Sequence, residues 1–218
     1  MKEKYNNFLQ SRNYKLLNEV LSALTHGVGV VLSIVALVLL VIQGVNRGGA
    51  IRITTFAIYG SILVIFYLAS TLFHSLYFTG GRKVFQIFDH CAIFILIAGT
   101  YLPYCLVTIG GFLGWFLLIV IWIMAISGII YKAIWMNAGT VFSTVVYVVM
   151  GWMCLIGIVP LWNNMNHLGF LLLVLGGIAF TLGAIIYSFK NIPFGHVIWH
   201  VFVIIGTVLM FFSIYLYV

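Results

Sequence analysis

The sequence predicts an all-α integral membrane protein, a seven-transmembrane helix bundle. Hydrophobic residues make up 64% of the 218-residue chain and charged residues only 6%, whereas soluble domains carry about 25% charged residues. Seven stretches reach the roughly 20 apolar residues that a helix needs to cross a bilayer. Only helices and closed barrels satisfy their backbone polar groups in lipid, and these stretches are too long for barrel strands.

The seven predicted helices, α1 to α7, lie near 19–43, 52–77, 84–107, 112–131, 138–161, 168–188 and 194–217. Each ends at a polar or glycine-rich break, and these breaks read in order NRGG, TGGRK, IGG, YKAIWMN, NNMNH and KNIP. Because the breaks are short, we expect successive helices to be antiparallel neighbours. One misassigned break would give six or eight helices instead.

A short polar segment, residues 1–18, precedes the transmembrane domain at 19–218. It lacks the small-residue cleavage site of a signal peptide, so we interpret α1 as a retained helix. The segment is either a short interfacial helix or loose. Glycine spacings such as Gly177–Gly183 are too loose to indicate a dimer, and the sequence leaves the oligomeric state open.

The distribution of basic residues predicts the orientation of the bundle. Only Arg47 and Arg52 fall on one side. The positive-inside rule therefore places the amino terminus in the cytoplasm and the carboxyl terminus outside the cell membrane. The net charge of +7 is thus a topological signal, and we expect no nucleic-acid partner. The basic residues of the other side are Lys2, Lys4, Arg12, Lys15, Arg82, Lys83, Lys132 and Lys190.

The three cysteines, Cys91, Cys105 and Cys154, all lie within apolar segments. Their odd number argues against a disulfide framework, and their spacing is not that of metal ligands. We interpret them as small buried hydrophobic residues.

Polar side chains converge at the predicted cytoplasmic ends of three helices. Ser70 and His74 share one face of α2, Asp89 lies about two turns into α3, and His196 and His200 occupy the first two turns of α7. An ionisable residue at the middle of a membrane costs about 2.5–3.5 kcal/mol on insertion scales, so such residues mark candidate functional sites.

Three imidazoles and a carboxylate at one depth indicate zinc, which takes nitrogen ligands and, in catalytic sites, three protein ligands with a water. Each motif alone is weak. The histidine pair of α7 is equally explained by hydrogen bonds to neighbours, Ser70 by a bond to its own backbone, and Asp89 by pairing with Arg82 or Lys83. Their convergence in depth favours the metal site.

Other polar residues lie near this cluster. Glu19, Ser22 and His26 follow one face of α1, and Tyr67 lies beside Ser70 on α2. We expect these four to support the metal ligands or to contact a substrate. His90 points about 100° away from its neighbour Asp89 and is interpreted as a packing or interfacial residue. His167 lies among asparagines and is interpreted as solvated.

Four stretches of the chain resemble the haemolysin III branch of the progestin and adiponectin Q receptor (PAQR) family. They are NEVLSALTHGVG in α1, SxxxH at Ser70–His74, FDHCAIFILIAGTYLPYCL at 88–106, and HxxxH at His196–His200. The resemblance covers the whole chain in order, and the block at 88–106 is far more specific than either histidine motif.

The resemblance implies that His74, His196 and His200 bind zinc, that Asp89 holds a zinc-bound water, and that Ser70 lies beside the metal. The chain lacks the large amino-terminal domain of the receptor members, so hormone signalling is not carried over.

Three functions fit these expectations. The first is a zinc-dependent hydrolase of a membrane lipid amide or ester, similar to ceramidases, with Asp89 as general base and Ser70 assisting an oxyanion. The second is a non-enzymatic regulator of membrane homeostasis in which a fourth protein ligand closes a structural zinc site. The third is a pore-forming cytolysin, which seven permanent spans and the absence of a secretion signal argue against.

Overall fold

The computed structural model describes residue 9 and residues 11–135, 140–189 and 192–218, and these contain helices and turns but no strand. Seven helical spans among them are long and apolar enough to cross a membrane, which confirms the predicted bundle. Five of the helices are regular α-helix, whereas α3 is irregular at its carboxyl end and α5 is irregular in its middle. The helices are α1 Arg12–Arg47, α2 Ala50–Ser75, α3 Arg82–Pro103, α4 Gly111–Ile134, α5 Thr140–Trp152 with Ile158–Asn164, α6 His167–Ser188 and α7 Gly195–Tyr217.

The first helix starts earlier than the hydropathy pattern places it. Ser11 is extended and its side-chain oxygen accepts a hydrogen bond from the Tyr14 N–H at 3.2 Å, as is typical of an N-cap. Residues 12–18 therefore extend α1 beyond its apolar part. The expectation for residues 1–8 lies outside the described part of the chain.

Two of the spans depart from regular α-helix. Pro103 lies at the end of α3 and is followed by a π-helical turn, Tyr104–Ile109, because proline has no N–H to continue the hydrogen-bond ladder. In α5 a 3-10 turn, Met153–Gly157, joins two α-helical pieces. Gly110, at a φ of +67°, ends the π-helical turn and lets the chain reverse into α4.

Sequence neighbours pack side by side, and α7 contacts both α6 and α1, which closes the bundle. Close approach depends on small residues. A Cβ at Gly60 would lie 2.9 Å from the Leu37 Cα, so α1 and α2 meet here almost backbone to backbone. Large apolar side chains such as Val31 and Phe112 are exposed around the outside, as expected where lipid is the solvent.

At the end of the bundle opposite to Arg12, side chains of α1 and α2 hold the last turn of α7. Gln43 Nε2 donates to the Tyr215 carbonyl oxygen at 3.1 Å, and Arg52 Nε donates to the Val218 carbonyl oxygen at 3.1 Å. These donors pair backbone carbonyls that the helix end itself leaves unpaired. They fix α7 against the α1–α2 pair at this end.

All three cysteines are free thiols, with Cys91 and Cys105 buried and Cys154 partly buried, in line with the expectation that they form no disulfide framework.

Candidate metal centre

Three histidines from two helices meet at one end of the bundle. His74 lies in the last turn of α2, and His196 and His200 lie in the first two turns of α7. One ring nitrogen of each lies within 4.8 Å of the others, and the Nε2 atoms of His74 and His196 are 3.2 Å apart. Two nitrogens bound to one tetrahedral zinc ion at about 2.0–2.1 Å lie about 3.4 Å apart. The cluster is therefore able to hold a metal ion.

The Glu19 carboxylate sets the orientation of His74. Its Oε2 lies 2.7 Å from His74 Nδ1, and both side chains are buried. A carboxylate only accepts hydrogen bonds, so Nδ1 donates and carries the proton, which leaves the Nε2 lone pair directed towards His196. A carboxylate that holds the far nitrogen of a histidine is the usual support of a metal-bound imidazole.

The same helix, α1, orients His200. His200 Nδ1 lies 3.3 Å from the Ser22 carbonyl oxygen and 3.3 Å from Thr25 Oγ1. The Thr25 hydroxyl is itself within donating distance of the Leu21 carbonyl, so the imidazole N–H is the donor to the Ser22 carbonyl. Nε2 of His200 therefore also presents a lone pair. Two of the three candidate ligands thus have the tautomer that metal binding requires.

Local backbone geometry places His196. Phe194, which precedes α7, has a positive φ of 55°, a conformation that costs energy for a residue with a side chain. Its N–H donates to the Tyr14 hydroxyl at 2.9 Å, and the two rings lie 5.0 Å apart. This contact with α1 holds the turn from which α7 starts.

Asp89 lies beside the histidine cluster rather than within it. The carboxylate is buried and interacts with Ser70 and His74, but Asp89 does not belong to the group of mutually close ligand atoms. Ser70 Oγ is close to this carboxylate yet has no hydrogen bond of good geometry. Three histidines with a nearby separate carboxylate is the arrangement of an open metal site.

Two further predicted residues, His26 and Tyr67, lie next to the cluster. The His26 ring stacks on His200 with centroids 3.5 Å apart, and neither of its nitrogens has a hydrogen bond. Tyr67 meets the His26 ring edge-on at 5.1 Å, and its hydroxyl is hydrogen-bonded to Thr207. His26 is thus a buried polar group next to a ligand, whereas Tyr67 joins α2 to α7.

The cluster borders the first of two adjoining cavities. The first, here called the polar cavity, has a volume of about 340 Å³ and is lined by Asp89, His196 and His200 among others. The second, the apolar cavity, measures about 320 Å³ and is lined mainly by aliphatic and aromatic side chains of α3, α5, α6 and α7. Phe66 and Trp199 line both cavities, so the two cavities adjoin each other.

Two residues of the polar cavity were not predicted from the sequence as part of the site. His90, interpreted from the sequence as a packing residue, lines it, and its Nδ1 is buried without a hydrogen bond. Lys132, which served only as an orientation signal, also lines it and is 6% exposed. The sequence feature that could have indicated Lys132 is its position within one turn of the end of an apolar helix. His167 is exposed as expected and stacks on Trp162.

Comparison with known proteins identifies one family and close relatives within it. A family model described as "Haemolysin-III related" matches residues 14–211. "Hemolysin-3" of Bacillus cereus is 44% identical over 200 residues, which is 92% of this chain and 91% of the relative. "Hemolysin-3 homolog" of Bacillus subtilis (strain 168) is 44% identical over 204 residues, 94% and 96% of the two chains.

A more distant similarity reaches animal proteins. "Monocyte to macrophage differentiation factor" of Homo sapiens is 29% identical over 170 residues, covering 73% of this chain and 68% of the relative. No solved structure matches the chain.

Proposed function

Since the chain belongs to the haemolysin III family of membrane proteins, as its motifs predicted, we propose that it is a zinc-dependent hydrolase that cleaves an amide or ester bond of a membrane lipid. One observation carries the proposal. A cluster of three histidines, two of which have their lone pairs set by partners on α1, borders a polar cavity that adjoins an apolar one.

The donor set fits zinc. Three neutral imidazoles are ligands that zinc accepts, and no cysteine and no carboxylate among the described residues belongs to the cluster. Bound there, zinc would supply a Lewis acid for the lipid carbonyl and an activated water. His74, His196 and His200 would hold it.

The remaining residues supply proton transfer and positioning. Asp89, on the cavity wall next to His74, is placed to accept a proton from the attacking water and to pass it to the leaving nitrogen or oxygen as the carbon–heteroatom bond breaks. Ser70 lies fully buried beside Asp89 and lines neither of the two cavities, so its hydroxyl would support this carboxylate. The products are a fatty carboxylate and an amine or alcohol.

The apolar cavity accounts for substrate class. A space of about 320 Å³ within the protein, lined by side chains such as Leu96, Leu173 and Val203, takes an acyl chain better than water. The lipid carbonyl then lies where the two cavities adjoin, close to His200.

We place the site in the cytoplasmic leaflet of the cell membrane. Glu19, His74 and the start of α7 lie at the same end of the bundle as Arg12 and Arg82, and basic residues favour the cytoplasmic side. Cysteine labelling from either side of intact cells, at positions introduced next to Arg82 and Arg47, tests this orientation.

The function is tested by metal content and turnover together. Purified protein should contain stoichiometric zinc, His196→Ala with His200→Ala should lose it, and Asp89→Asn should keep the metal but lose hydrolysis of a lipid amide or ester panel. Zinc without turnover in the wild-type protein would indicate the structural alternative. Turnover that survives Asp89→Asn would remove the assigned general base.

Cytolysis is the second candidate, and it rests on the name "Hemolysin-3" of a relative with 44% identity. Dye leakage from liposomes on addition of the purified protein, compared with His74→Ala, tests it. Leakage equal for both forms would make lysis independent of the metal centre.

A further inference from the structure

Lys132 is a buried cation for which the described residues provide no counter-charge. It lies in the last turn of α4, is 6% exposed and lines the polar cavity. Within the described ranges its side chain makes no hydrogen bond and no ion pair; its neighbours include His90 and Cys91. A buried charge is normally paired because its desolvation is costly.

Neither acidic residue in the described part of the chain supplies the missing charge. The whole chain has only three, Glu3, Glu19 and Asp89. Glu19 is bound to His74, and Asp89 interacts with Ser70 and His74 rather than with Lys132. Glu3 lies outside the described residues.

Two more polar groups without partners line the same cavity. His90 Nδ1 on α3 and Ser143 Oγ on α5 are both buried and have no hydrogen bond. The Ser143 hydroxyl and the Lys132 ammonium are able to donate a hydrogen bond, and His90 Nδ1 donates when it carries the ring proton; His90 Nε2 lies 4.0 Å from Asp89 Oδ2. Three helices therefore contribute residues with unpaired donors to the lining of one cavity, and converging donors are the requirement for holding an oxyanion.

We propose that the polar cavity binds the anionic headgroup, a phosphate or a carboxylate, of a lipid whose acyl chain fills the apolar cavity, and that Lys132 recognises the negative charge. The polar cavity adjoins the apolar one along Phe66 and Trp199, so one amphiphile spans both. This inference names the substrate class of the proposed hydrolase and rests on it for the cleavage step, but headgroup binding itself requires no turnover.

Binding is measured with lipid pairs that differ only in charge. Lysophosphatidic acid and the monoacylglycerol of the same chain length are titrated into purified protein in nanodiscs, with inorganic phosphate as a third probe. The fluorescence of tryptophan reports binding, since Trp199 lines both cavities. A hydrogen-bonded ion pair contributes about 1.5–3 kcal/mol, so we expect the phosphate lipid to bind roughly 10-fold to 100-fold more tightly.

Substitutions of Lys132 test whether this residue causes the preference for the phosphate lipid. Lys132→Gln should bring the affinities for the two lipids to within about twofold, and Lys132→Arg should keep most of the preference, because the arginine retains the charge. Lys83→Gln is the matched control, since it removes an exposed lysine near the same end of the bundle, and it should leave the preference unchanged.

Three results would overturn the proposal: equal affinity of the wild-type protein for both lipids, a preference that survives Lys132→Gln, or inorganic phosphate binding as tightly as the phosphate lipid, which would make the site one for a soluble anion. The first needs no variant, so the test stands even where a substitution prevents folding. Charge-selective binding without hydrolysis would refute the proposed function alone.

Discussion

Replacing Glu19 by leucine removes the acceptor that holds His74 and should weaken zinc binding strongly. Glu19 Oε2 lies 2.7 Å from His74 Nδ1, and the two side chains are only 11% and 2% exposed, so solvent screens their interaction little. Carboxylate partners of metal-bound histidines contribute about 10-fold to 100-fold in affinity. The short, charge-assisted contact places Glu19→Leu near the upper limit, at roughly 30-fold to 100-fold, or about 2–3 kcal/mol.

The loss of zinc affinity should depend on which hydrogen-bond acceptor remains at position 19. Glu19→Gln keeps an amide oxygen that accepts from Nδ1 but loses the charge, so we expect a reduction of roughly 3-fold to 10-fold. Competition for zinc between the detergent-purified protein and a fluorescent chelator gives these affinities directly.

Ser22→Ala provides the control. Ser22 is buried on the same helix, but its hydroxyl has no hydrogen bond and it reaches His200 through its backbone carbonyl, which alanine retains. Its zinc affinity should equal that of the wild-type protein. If Glu19→Leu binds zinc within twofold of the wild-type protein, or if Ser22→Ala weakens binding as much, the role assigned to the α1 contacts is wrong.

Packing and helix-end contacts give two further predictions. Gly60→Ala should lower the free energy of unfolding by about 1–3 kcal/mol, because its Cβ would press on the Leu37 backbone. A Cβ at Gly151 would meet nothing within 4 Å, so Gly151→Ala should be neutral or slightly stabilising. Equal melting temperatures of the two variants would contradict this prediction. Arg52→Met should cost about 0.5–1.5 kcal/mol by releasing the Val218 carbonyl, and unchanged unfolding in detergent would show that the contact does not matter.

The seven spans were predictable because apolar length is decisive in a bilayer. Details that depend on hydrogen bonding were not. The start of α1 at Arg12 depends on the Ser11 cap, which lies among polar residues that hydropathy excludes. The 3-10 turn at Met153–Gly157 interrupts a uniformly apolar stretch without a proline or a charge to mark it.

The site was predictable in outline for a similar reason. The orientation of each helix determines the depth of its residues in the membrane, and the predicted depths of His74, His196 and His200 are the same. The partners of these residues were not predictable, since Glu19 meets His74 across 55 positions of sequence and helix periodicity does not say which faces meet. The position of His90 on the cavity wall was not predicted, because most of α3 is enclosed by other helices and more than one of its faces is buried.

The closure of α7 against α1 would make the proposed metal centre a late product of assembly. Glu19 and His74 lie on α1 and α2, whereas His196 and His200 lie on α7, which is synthesised after them, and the Ser22 carbonyl of α1 must then receive His200. Metal binding would consequently report that α1 and α7 have joined. A cell that withholds the metal during synthesis would leave this docking step without that link between the two helices.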